Sequence, residues 1–191
     1  MNSRAELRKN IRNRRQTLSK ANQLQASENL VERLSTHPRV QSAQKIALYL
    51  ANDGELDPMP FIQWCWQQKK QVYLPILHPF CSGYLLFLLF EKNSIMIKNH
   101  FGISEPKLAV NKVCPFDQLD LLFTPLVAFD DSGARLGMGG GFYDRTMANW
   151  QQHNIYPIGL AHDCQQVDNI PVEAWDIPLP EIITPTKNHR F

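Results

Sequence analysis

Several patterns that would assign the chain to a familiar class are absent. The longest apolar run, residues 84–90, is far shorter than the roughly 20 residues that a membrane-spanning helix needs, so it predicts a buried strand. Residues 1–20 lack the apolar core of a secretion signal. No internal repeat or low-complexity tract interrupts the 191 residues. We therefore expect a single domain over residues 1–191, located in the cytoplasm and without a membrane partner.

Clustered metal ligands and paired cysteines are also missing. The six histidines show neither H-x-x-x-H nor H-E-x-x-H spacing, and no two cysteines form a C-x-x-C pair. The four cysteines are scattered, as Cys65, Cys81, Cys114 and Cys164. Tetrahedral zinc needs clustered nitrogen and sulfur ligands, so neither a zinc site nor a disulfide framework is expected.

Positive charge is present, but it is concentrated near the N-terminus. The net charge is only +2, although residues 4–20 carry one acid, Glu6, and the bases Arg4, Arg8, Lys9, Arg12, Arg14, Arg15 and Lys20. The remainder of the chain must therefore be slightly acidic. This asymmetry predicts an anionic partner for the N-terminal segment, either a nucleic acid or a smaller phosphate compound. No recognised nucleic-acid-binding motif accompanies the basic segment, which disfavours the first alternative.

The order of elements predicts the fold class. Helical spacing of apolar residues predicts a first helix through Leu7, Ile11 and Leu18, and a second, capped by Ser19, through Leu24, Ser27, Val31 and Leu34. Further helices are expected over residues 57–70 and 142–152. Strands are expected over 45–50, 71–74 (stopped by Pro75), 84–90, 119–124, 155–160 and 181–184. This alternation predicts an α/β three-layer sandwich with a largely parallel central sheet.

Ligands of such sheets bind in the loops at the carboxyl ends of the strands. Three loops of this kind are candidates, following Leu50, Phe129 and Leu160. The second is unusual in composition, because five of the nine glycines fall within residues 133–141. Glycine in a fixed loop costs backbone entropy, so the concentration indicates a backbone that must approach a ligand or adopt positive φ.

The glycine-rich loop follows a buried strand and precedes a helix, so its N–H groups and the helix N-terminus would face an anion. Neither the G-x-x-x-x-G-K-[ST] nor the G-x-G-x-x-G fingerprint fits. A tight turn with a glycine-rich cap is the structural alternative. Two flanking residues favour phosphate: Arg135 offers a charged donor fork, and Asp144 is placed to hold a hard cation.

The segment from Arg135 to Asp144, R-L-G-M-G-G-G-F-Y-D, resembles the signature R-L-G-x-G-x-G-[YF]-Y-D of the 5-formyltetrahydrofolate cyclo-ligase (methenyltetrahydrofolate synthetase) family. Phe142 stands where tyrosine is commoner. Four other segments match the family in the right order. They are Arg4 with Arg8, Tyr49–Leu50 with Glu55, the aromatic-G-I-x-E-P loop that starts at Phe101, and the P-x-E-x-x-D pattern of Pro171, Glu173 and Asp176.

The resemblance implies an enzyme that uses ATP and Mg²⁺ to convert 5-formyltetrahydrofolate into 5,10-methenyltetrahydrofolate, with release of ADP and phosphate. The formyl oxygen would accept the γ-phosphoryl group, and N10 would then attack the activated carbon. It assigns catalysis to Arg135 and Tyr143 and the metal to Asp144 and Asp176. It assigns ATP to Arg4, Arg8, Arg135, Leu136, Gly137, Met138, Gly139, Gly140, Gly141, Phe142 and Tyr143. Folate is assigned to Leu50, Glu55, Phe101, Met138, Gly139, Gly140, Gly141 and Phe142.

Two alternatives stay open from the residues themselves. One is a nucleic-acid-binding module led by the basic N-terminal helix, whose binding would fall steeply with salt. The other is a different phosphate-handling α/β enzyme, such as a sugar-phosphate isomerase or an acyl-CoA transferase. We favour the cyclo-ligase and expect a monomer that binds 5-formyltetrahydrofolate and ATP and does not bind nucleic acid.

Overall fold

The computed structural model describes residues 3–191. Its strands are β1 (Lys45–Ala47), β2 (Gln71–Leu77), β3 (Leu85–Leu89), β4 (Met96–Lys98), β5 (Ser104–Pro106), β6 (Val113–Cys114), β7 (Leu121–Pro125), β8 (Ala128–Phe129), β9 (Arg135–Leu136), β10 (Tyr156–Leu160), β11 (Glu181–Ile183) and β12 (Asn188–Arg190). Its α-helices are α1 (Arg4–Gln16), α2 (Lys20–Ser35), α3 (Pro38–Ser42), α4 (Met59–Gln67) and α5 (Phe142–Thr146). Within residues 3–191, no helix combines the length and the apolar character that crossing a bilayer requires.

The core of the fold is an eight-stranded sheet in the order β12-β11-β10-β7-β1-β2-β3-β6. The five central strands, from β11 to β2, are mutually parallel, and the strands at both edges are antiparallel. Strands β4 and β5 form a separate hairpin, as do β8 and β9. The prediction of a largely parallel central sheet is confirmed, and the carboxyl ends of the five central strands lie at one edge of it.

Both faces of the sheet are buried. Successive residues of β1, Ile46 and Ala47, belong to different core clusters, as the alternation of side chains along a strand requires. The cluster on one face includes residues of α2, α3 and α4, whereas the cluster on the other includes Met147, next to α5. A third, smaller cluster joins Leu7 and Ile11 of α1 to the β8–β9 hairpin. The arrangement is the layered one that the sequence pattern predicts.

Pro75 does not end β2, as the sequence analysis predicted, but lies inside it. The Val72 carbonyl accepts a hydrogen bond from Phe90 on the β3 side, and the Tyr73 carbonyl accepts one from Leu48 on the β1 side. Because orientations alternate along a strand, the nitrogen of Pro75 faces the β1 side. Strand β1 has already ended at that level, so the missing N–H removes no hydrogen bond from the sheet.

Four helix predictions also need correction. The predicted helix over residues 142–152 is a single short helix, α5, followed by a 3₁₀ turn at Trp150–Gln152. Leu18 lies beyond the end of α1, and the third buried residue of that helix is Arg15. Leu24 is 59% exposed, so the buried stripe of α2 comprises Ala26, Ser27, Leu30 and Leu34 instead. Helix α4 occupies residues 59–67 of the predicted 57–70.

A pair of leucine substitutions in α2 tests this assignment of its buried face. Leu30 is fully buried, so Leu30→Ala leaves a cavity and should lower the free energy of unfolding by about 2–5 kcal/mol. Leu24→Ala on the exposed face should change it by less than about 0.5 kcal/mol. Urea denaturation of both variants measures the difference. Similar losses in the two variants would contradict the observed helix orientation.

Candidate active site

A cavity of about 480 Å³ opens at the carboxyl edge of the parallel strands. Four stretches of chain form its walls: residues 49–55 after β1, the second half of β2, the loop around Phe101 between β4 and β5, and the residues from Arg135 to Asp144. Pro125 and Leu126, at the end of β7, contribute the floor between them. Two of the three predicted loops therefore meet at one cavity. The third, after Leu160, does not line it.

The glycine-rich loop connects β9 to α5 along one wall. Gly139 has φ of 103° and Gly141 has φ of 65°, a left-handed conformation that disfavours other residues. Gly141 is also the N-cap of α5, where no side chain caps the helix. Within residues 3–191, no acceptor receives a hydrogen bond from the backbone N–H groups of Gly137, Met138, Gly139, Gly140 or Gly141. Consecutive unpaired amides of this kind can receive an anionic oxygen.

Arg135 lies beside this loop and is almost completely buried, with 4% of its surface exposed. Its Nη2 donates to Oδ1 of Asp144 at 2.5 Å, and the Ile177 N–H donates to the same oxygen at 3.2 Å. Burial lowers the pKa of Arg135 below its ordinary value, although the charge of Asp144 acts to raise it. Its Nε has no hydrogen-bond acceptor among residues 3–191. A buried guanidinium with an unsatisfied donor is suited to bind a further anion.

Helix α1 brings the two predicted N-terminal arginines to the other side of the loop. Arg8 donates through Nε to the Gly137 carbonyl at 2.8 Å. Arg4 donates to the Pro171 carbonyl at 2.8 Å and to both carboxylate oxygens of Asp176. Although burial acts to raise it, hydrogen bonds from Arg4 and the Glu173 N–H hold the pKa of Asp176 below its usual value. Neither arginine is simply part of a solvated basic face.

The predicted metal ligands, Asp144 and Asp176, are on neighbouring segments, since Asp144 accepts from the residue that follows Asp176. Each is paired with an arginine, Arg135 or Arg4 respectively. No group of three or more His, Cys, Asp or Glu side chains suited to a metal occurs within the described residues. Mg²⁺ commonly takes only one or two carboxylates, with phosphates and water as its other ligands. The two aspartates would fit that requirement if each bound Mg²⁺ beside its arginine partner or in place of it.

Two further titratable side chains line the cavity: Glu55, in the loop after β1, and Tyr143, in α5 directly after the glycine-rich loop. Glu55 accepts a hydrogen bond from the Asn52 N–H at 2.9 Å, and burial raises the pKa of its carboxyl group to about 7. Burial and the nearby charge of Glu55 raise the pKa of Tyr143, so the phenol keeps its proton at neutral pH. Phe101 is 55% exposed and packs edge-to-face on Phe142, with ring centroids 5.9 Å apart. It is therefore a cover for the cavity and not a core residue.

Most of the predicted site residues come together here. Those lining the cavity are Leu50, Glu55, Phe101, Arg135, Gly137, Met138, Gly140, Gly141, Phe142, Tyr143 and Asp144. Arg4, Arg8, Gly139 and Asp176 lie next to the loop without lining the cavity; a Cβ on Gly139 would be 3.6 Å from the Arg8 guanidinium. The Leu136 side chain is fully buried in the cluster under α1, so only its backbone is available to a ligand.

The sequence analysis missed several residues that hold the walls in place. Arg145 donates to the Gly83 carbonyl at 2.8 Å and also to the Gly140 carbonyl, which supports the glycine-rich loop. Glu105 accepts from the Asn99 amide at 2.9 Å and anchors the Phe101 loop. Glu105 belongs to the aromatic-G-I-x-E-P match, so its position was signalled but its task was not. Asp53 contacts α1, and the Asp-Gly dipeptide that begins with it is a turn signal.

The fold and the cavity define an α/β enzyme whose site combines a glycine-rich loop with buried arginine and carboxylate groups at the carboxyl edge of a parallel sheet. The model of the 5-formyltetrahydrofolate cyclo-ligase family matches residues 1–185, and the chain belongs to that family. It is 51% identical to the 5-formyltetrahydrofolate cyclo-ligase of Escherichia coli K12 over 177 residues, which is 93% of this chain and 97% of the relative.

Two further relatives agree. The 5-formyltetrahydrofolate cyclo-ligase of Haemophilus influenzae is 50% identical over 180 residues, covering 94% of this chain and 96% of the relative. The solved structure of Aquifex aeolicus 5,10-methenyltetrahydrofolate synthetase superposes with a TM-score of 0.83 at 28% identity, covering 98% of this chain and 92% of that one. The predictions of this family, of an enzyme and of a mainly parallel α/β fold are confirmed.

The half-buried carboxyl group of Glu55 gives a pH-dependent prediction for stability. Its pKa is 4.5 in the unfolded chain and about 7 in the folded protein, so the folded state holds the extra proton between these values. Its favourable contribution is therefore present below about pH 4.5 and is lost as the pH rises through about 7. Glu55→Gln replaces the carboxyl group with an amide that does not ionise, so the variant has no such loss of stability as the pH rises. We expect the variant to gain free energy of unfolding, relative to the parent, at about pH 8 compared with about pH 5.

Urea denaturation of parent and variant at the two pH values measures this gain. A difference between parent and variant that does not change with pH would show that Glu55 ionises as an ordinary exposed acid.

Proposed function

We propose that the chain converts 5-formyltetrahydrofolate into 5,10-methenyltetrahydrofolate and couples this step to the breakdown of Mg-ATP into ADP and phosphate. The observation that carries the proposal is the run of unpaired backbone amides from Gly137 to Gly141, beside the unsatisfied Nε of buried Arg135. Phosphate oxygens are the ligands that such a donor set suits. The names of the relatives supply the folate substrate.

The nucleotide is assigned to the side of the loop that faces α1. Arg4, Arg8 and Arg135 provide positive charge there, and the amides of the loop provide neutral donors. Guanidinium groups suit this task because they stay charged and offer several donors in a plane. The remaining nucleotide contacts are assigned to Leu136, Gly137, Met138, Gly139, Gly140, Gly141, Phe142 and Tyr143.

The folate is assigned to the cavity on the other side of the same loop. Its walls are mainly apolar side chains, among them Leu50, Met138 and Phe142, with Phe101 over the opening. Glu55 is a half-buried polar group that can orient the heterocycle, since a carboxyl group pairs well with adjacent N–H donors. Gly139, Gly140 and Gly141 are assigned to both ligands, so the reacting ends would meet along them, where no side chain keeps the formyl oxygen from contact with the γ-phosphate.

The chemical difficulty is that the N5-formyl group is an amide, whose oxygen is a poor leaving group. Phosphorylation of that oxygen makes it a leaving group, N10 attacks the formyl carbon, and departure of phosphate with loss of the N10 proton gives the methenyl product. Arg135 and the loop amides stabilise the charge of the transferred phosphoryl group. Tyr143, which stays protonated, donates a hydrogen bond at the reacting oxygen.

Magnesium is assigned to Asp144 and Asp176, where it would neutralise phosphate charge. Asp144 and Asp176 are paired with Arg135 and Arg4, so an ion held by the two aspartates would add its charge to that of these arginines. Residues 1–191 are proposed to form one domain that works as a cytoplasmic monomer. Absence of nucleic-acid binding also stays a prediction, and a filter-binding titration at low salt tests it.

The proposed reaction is tested by mixing the pure protein with 5-formyltetrahydrofolate, ATP and MgCl₂ and following the absorbance of the methenyl product. We expect product to form with all components and not when ATP is omitted or when EDTA replaces MgCl₂. Product formation that does not need ATP would refute the phosphorylation route. Binding of 5-formyltetrahydrofolate without turnover would leave a folate-binding protein.

The nucleotide assignment of α1 is tested by Arg8→Ala. Loss of a hydrogen bond to a charged phosphate costs about 1.5–3 kcal/mol, so the KM for ATP should rise roughly tenfold or more. The KM for 5-formyltetrahydrofolate should change much less. Arg14→Ala is the matched control, because Arg14 is exposed on the same helix and should leave both constants near the parent values. Equal rises in both KM values would contradict the assignment of Arg8 to the nucleotide.

A further inference from the structure

Asp53 accepts more hydrogen bonds from α1 than any assigned ligand-binding residue does. Its Oδ2 receives Arg12 Nε at 2.6 Å and Arg15 Nη2 at 2.9 Å. Its Oδ1 receives Gln16 Nε2 at 2.5 Å, and its backbone carbonyl receives Arg15 Nε at 2.9 Å. The second half of α1 is thereby fastened to one residue of the loop after β1, at the wall of the cavity.

Arg15 is the central member of this contact. Its side chain is fully buried. Apart from Asp53, its hydrogen-bond acceptor is the Leu126 carbonyl, directly after β7, at 3.5 Å from Nη1. A charge removed from water is tolerated only where paired groups compensate for the lost hydration. Arg15 and Asp53 therefore depend on each other, and neither can shift without leaving a buried group unpaired.

The backbone that Arg15 holds is itself strained. Asp53 has φ of 51° and Gly54 has φ of 73°, two left-handed residues in succession. A Cβ on Gly54 would lie 3.6 Å from the Arg15 carbonyl oxygen, so the bend packs directly on α1. A non-glycine residue with positive φ costs free energy and persists only where its surroundings fix it. The contacts from α1 supply that fixation.

The bend leads straight to Glu55. The Glu55 N–H donates to the Asn52 carbonyl at 3.0 Å, and the Glu55 carboxylate accepts from the Asn52 N–H at 2.9 Å. These two bonds close residues 52–55 into a compact unit that carries the carboxylate into the cavity. The position of the carboxylate is therefore set by where the unit sits on α1.

We propose that Arg15 and Asp53 are positioning residues, which hold the bend of residues 52–55 against α1 and thereby place the Glu55 carboxylate at the folate end of the cavity. The inference deepens the proposed function, on which the identity of the ligand rests. This role requires no contact of either residue with the substrate. Both act through Glu55.

The surroundings of Glu55 allow this role to be separated from simple structural support. The groups that face it are Arg15 from α1, Asp53 beside it, Tyr143 from α5, Tyr49 after β1 and the ring of His162 near its backbone. Burial is the main cause that raises the pKa of Glu55; the charge of Arg15 lowers it and that of Asp53 raises it. Removing the charge of Arg15 should therefore raise the pKa of Glu55, and removing the charge of Asp53 should lower it.

The variants Asp53→Asn and Arg15→Met test the proposal. Asparagine keeps one oxygen acceptor and tolerates positive φ, so Asp53→Asn keeps the local conformation of the bend. It removes the charge that attaches the bend to Arg12 and Arg15, so the bend can shift relative to α1. We expect the KM for 5-formyltetrahydrofolate to rise about ten- to a hundredfold in both variants, as small displacements at a reacting centre do. The KM for ATP should stay within about twofold of the parent value.

Asp120→Asn is the matched control. Asp120 accepts two backbone hydrogen bonds, each of 2.8 Å, from Gln44 and Lys45 at the amino ends of the strands, away from the cavity. Loss of the Asp120 carboxylate should destabilise the fold without changing the KM for the folate. An equal rise of the folate KM in this control would mean that general destabilisation explains the effect, which would overturn the positioning role.

A second measurement does not depend on activity. NMR titration of the Glu55 side-chain carboxyl group in the ligand-free protein should give a higher pKa in Arg15→Met and a lower one in Asp53→Asn. Unchanged folate KM values in an active enzyme would refute the positioning role and leave the proposed function intact. Opposite pKa shifts in a protein that does not turn over the folate would refute the proposed function and leave the arrangement around Glu55 standing.

Discussion

The site depends on the burial of two guanidinium groups. Arg15 and Arg135 are almost or completely shielded from water, and each requires a carboxylate partner within hydrogen-bond distance. The partners are Asp53, in the loop after β1, and Asp144, in α5 directly after the glycine-rich loop, and both line the cavity at the carboxyl edge of the sheet. Two charge pairs therefore fix the two walls of the cavity relative to α1 and to the β8–β9 hairpin. Without them, the loops would keep the flexibility typical of surface connections.

The sheet determines why these loops are neighbours at all. Five parallel strands end at the same edge, so segments far apart in the chain arrive at one place. Helix α1 lies at that edge, with Arg8 at the glycine-rich loop and Arg15 at the bend that carries Glu55. A single rigid helix thus contacts both ends of the cavity, which relates the proposed nucleotide side and the proposed folate side geometrically.

Much of this was predictable, because the informative signals are local. Alternating apolar strands and helices predict the mainly parallel sheet, and a dense run of glycines predicts a backbone with unusual φ, as Gly139 and Gly141 have. The failures concern interactions between distant residues. Arg15 belongs to a basic helix and resembles a surface residue in sequence, since hydropathy cannot indicate that Asp53 will compensate its burial. Pro75 within β2 likewise depends on where the neighbouring strand ends.

The contact between Arg4 and Asp176 joins residues 172 positions apart. During synthesis, the helix that carries Arg4 emerges from the ribosome early, whereas its partner carboxylate emerges after nearly all of the sheet has been made. Leu7 and Ile11, which are buried in the finished protein, have no hairpin to cover them until β8 and β9 have also been made. The apolar side of this helix is consequently open to chaperones or to other nascent chains for most of translation. The contact between Arg4 and Asp176 is therefore one of the last to form as the protein is made.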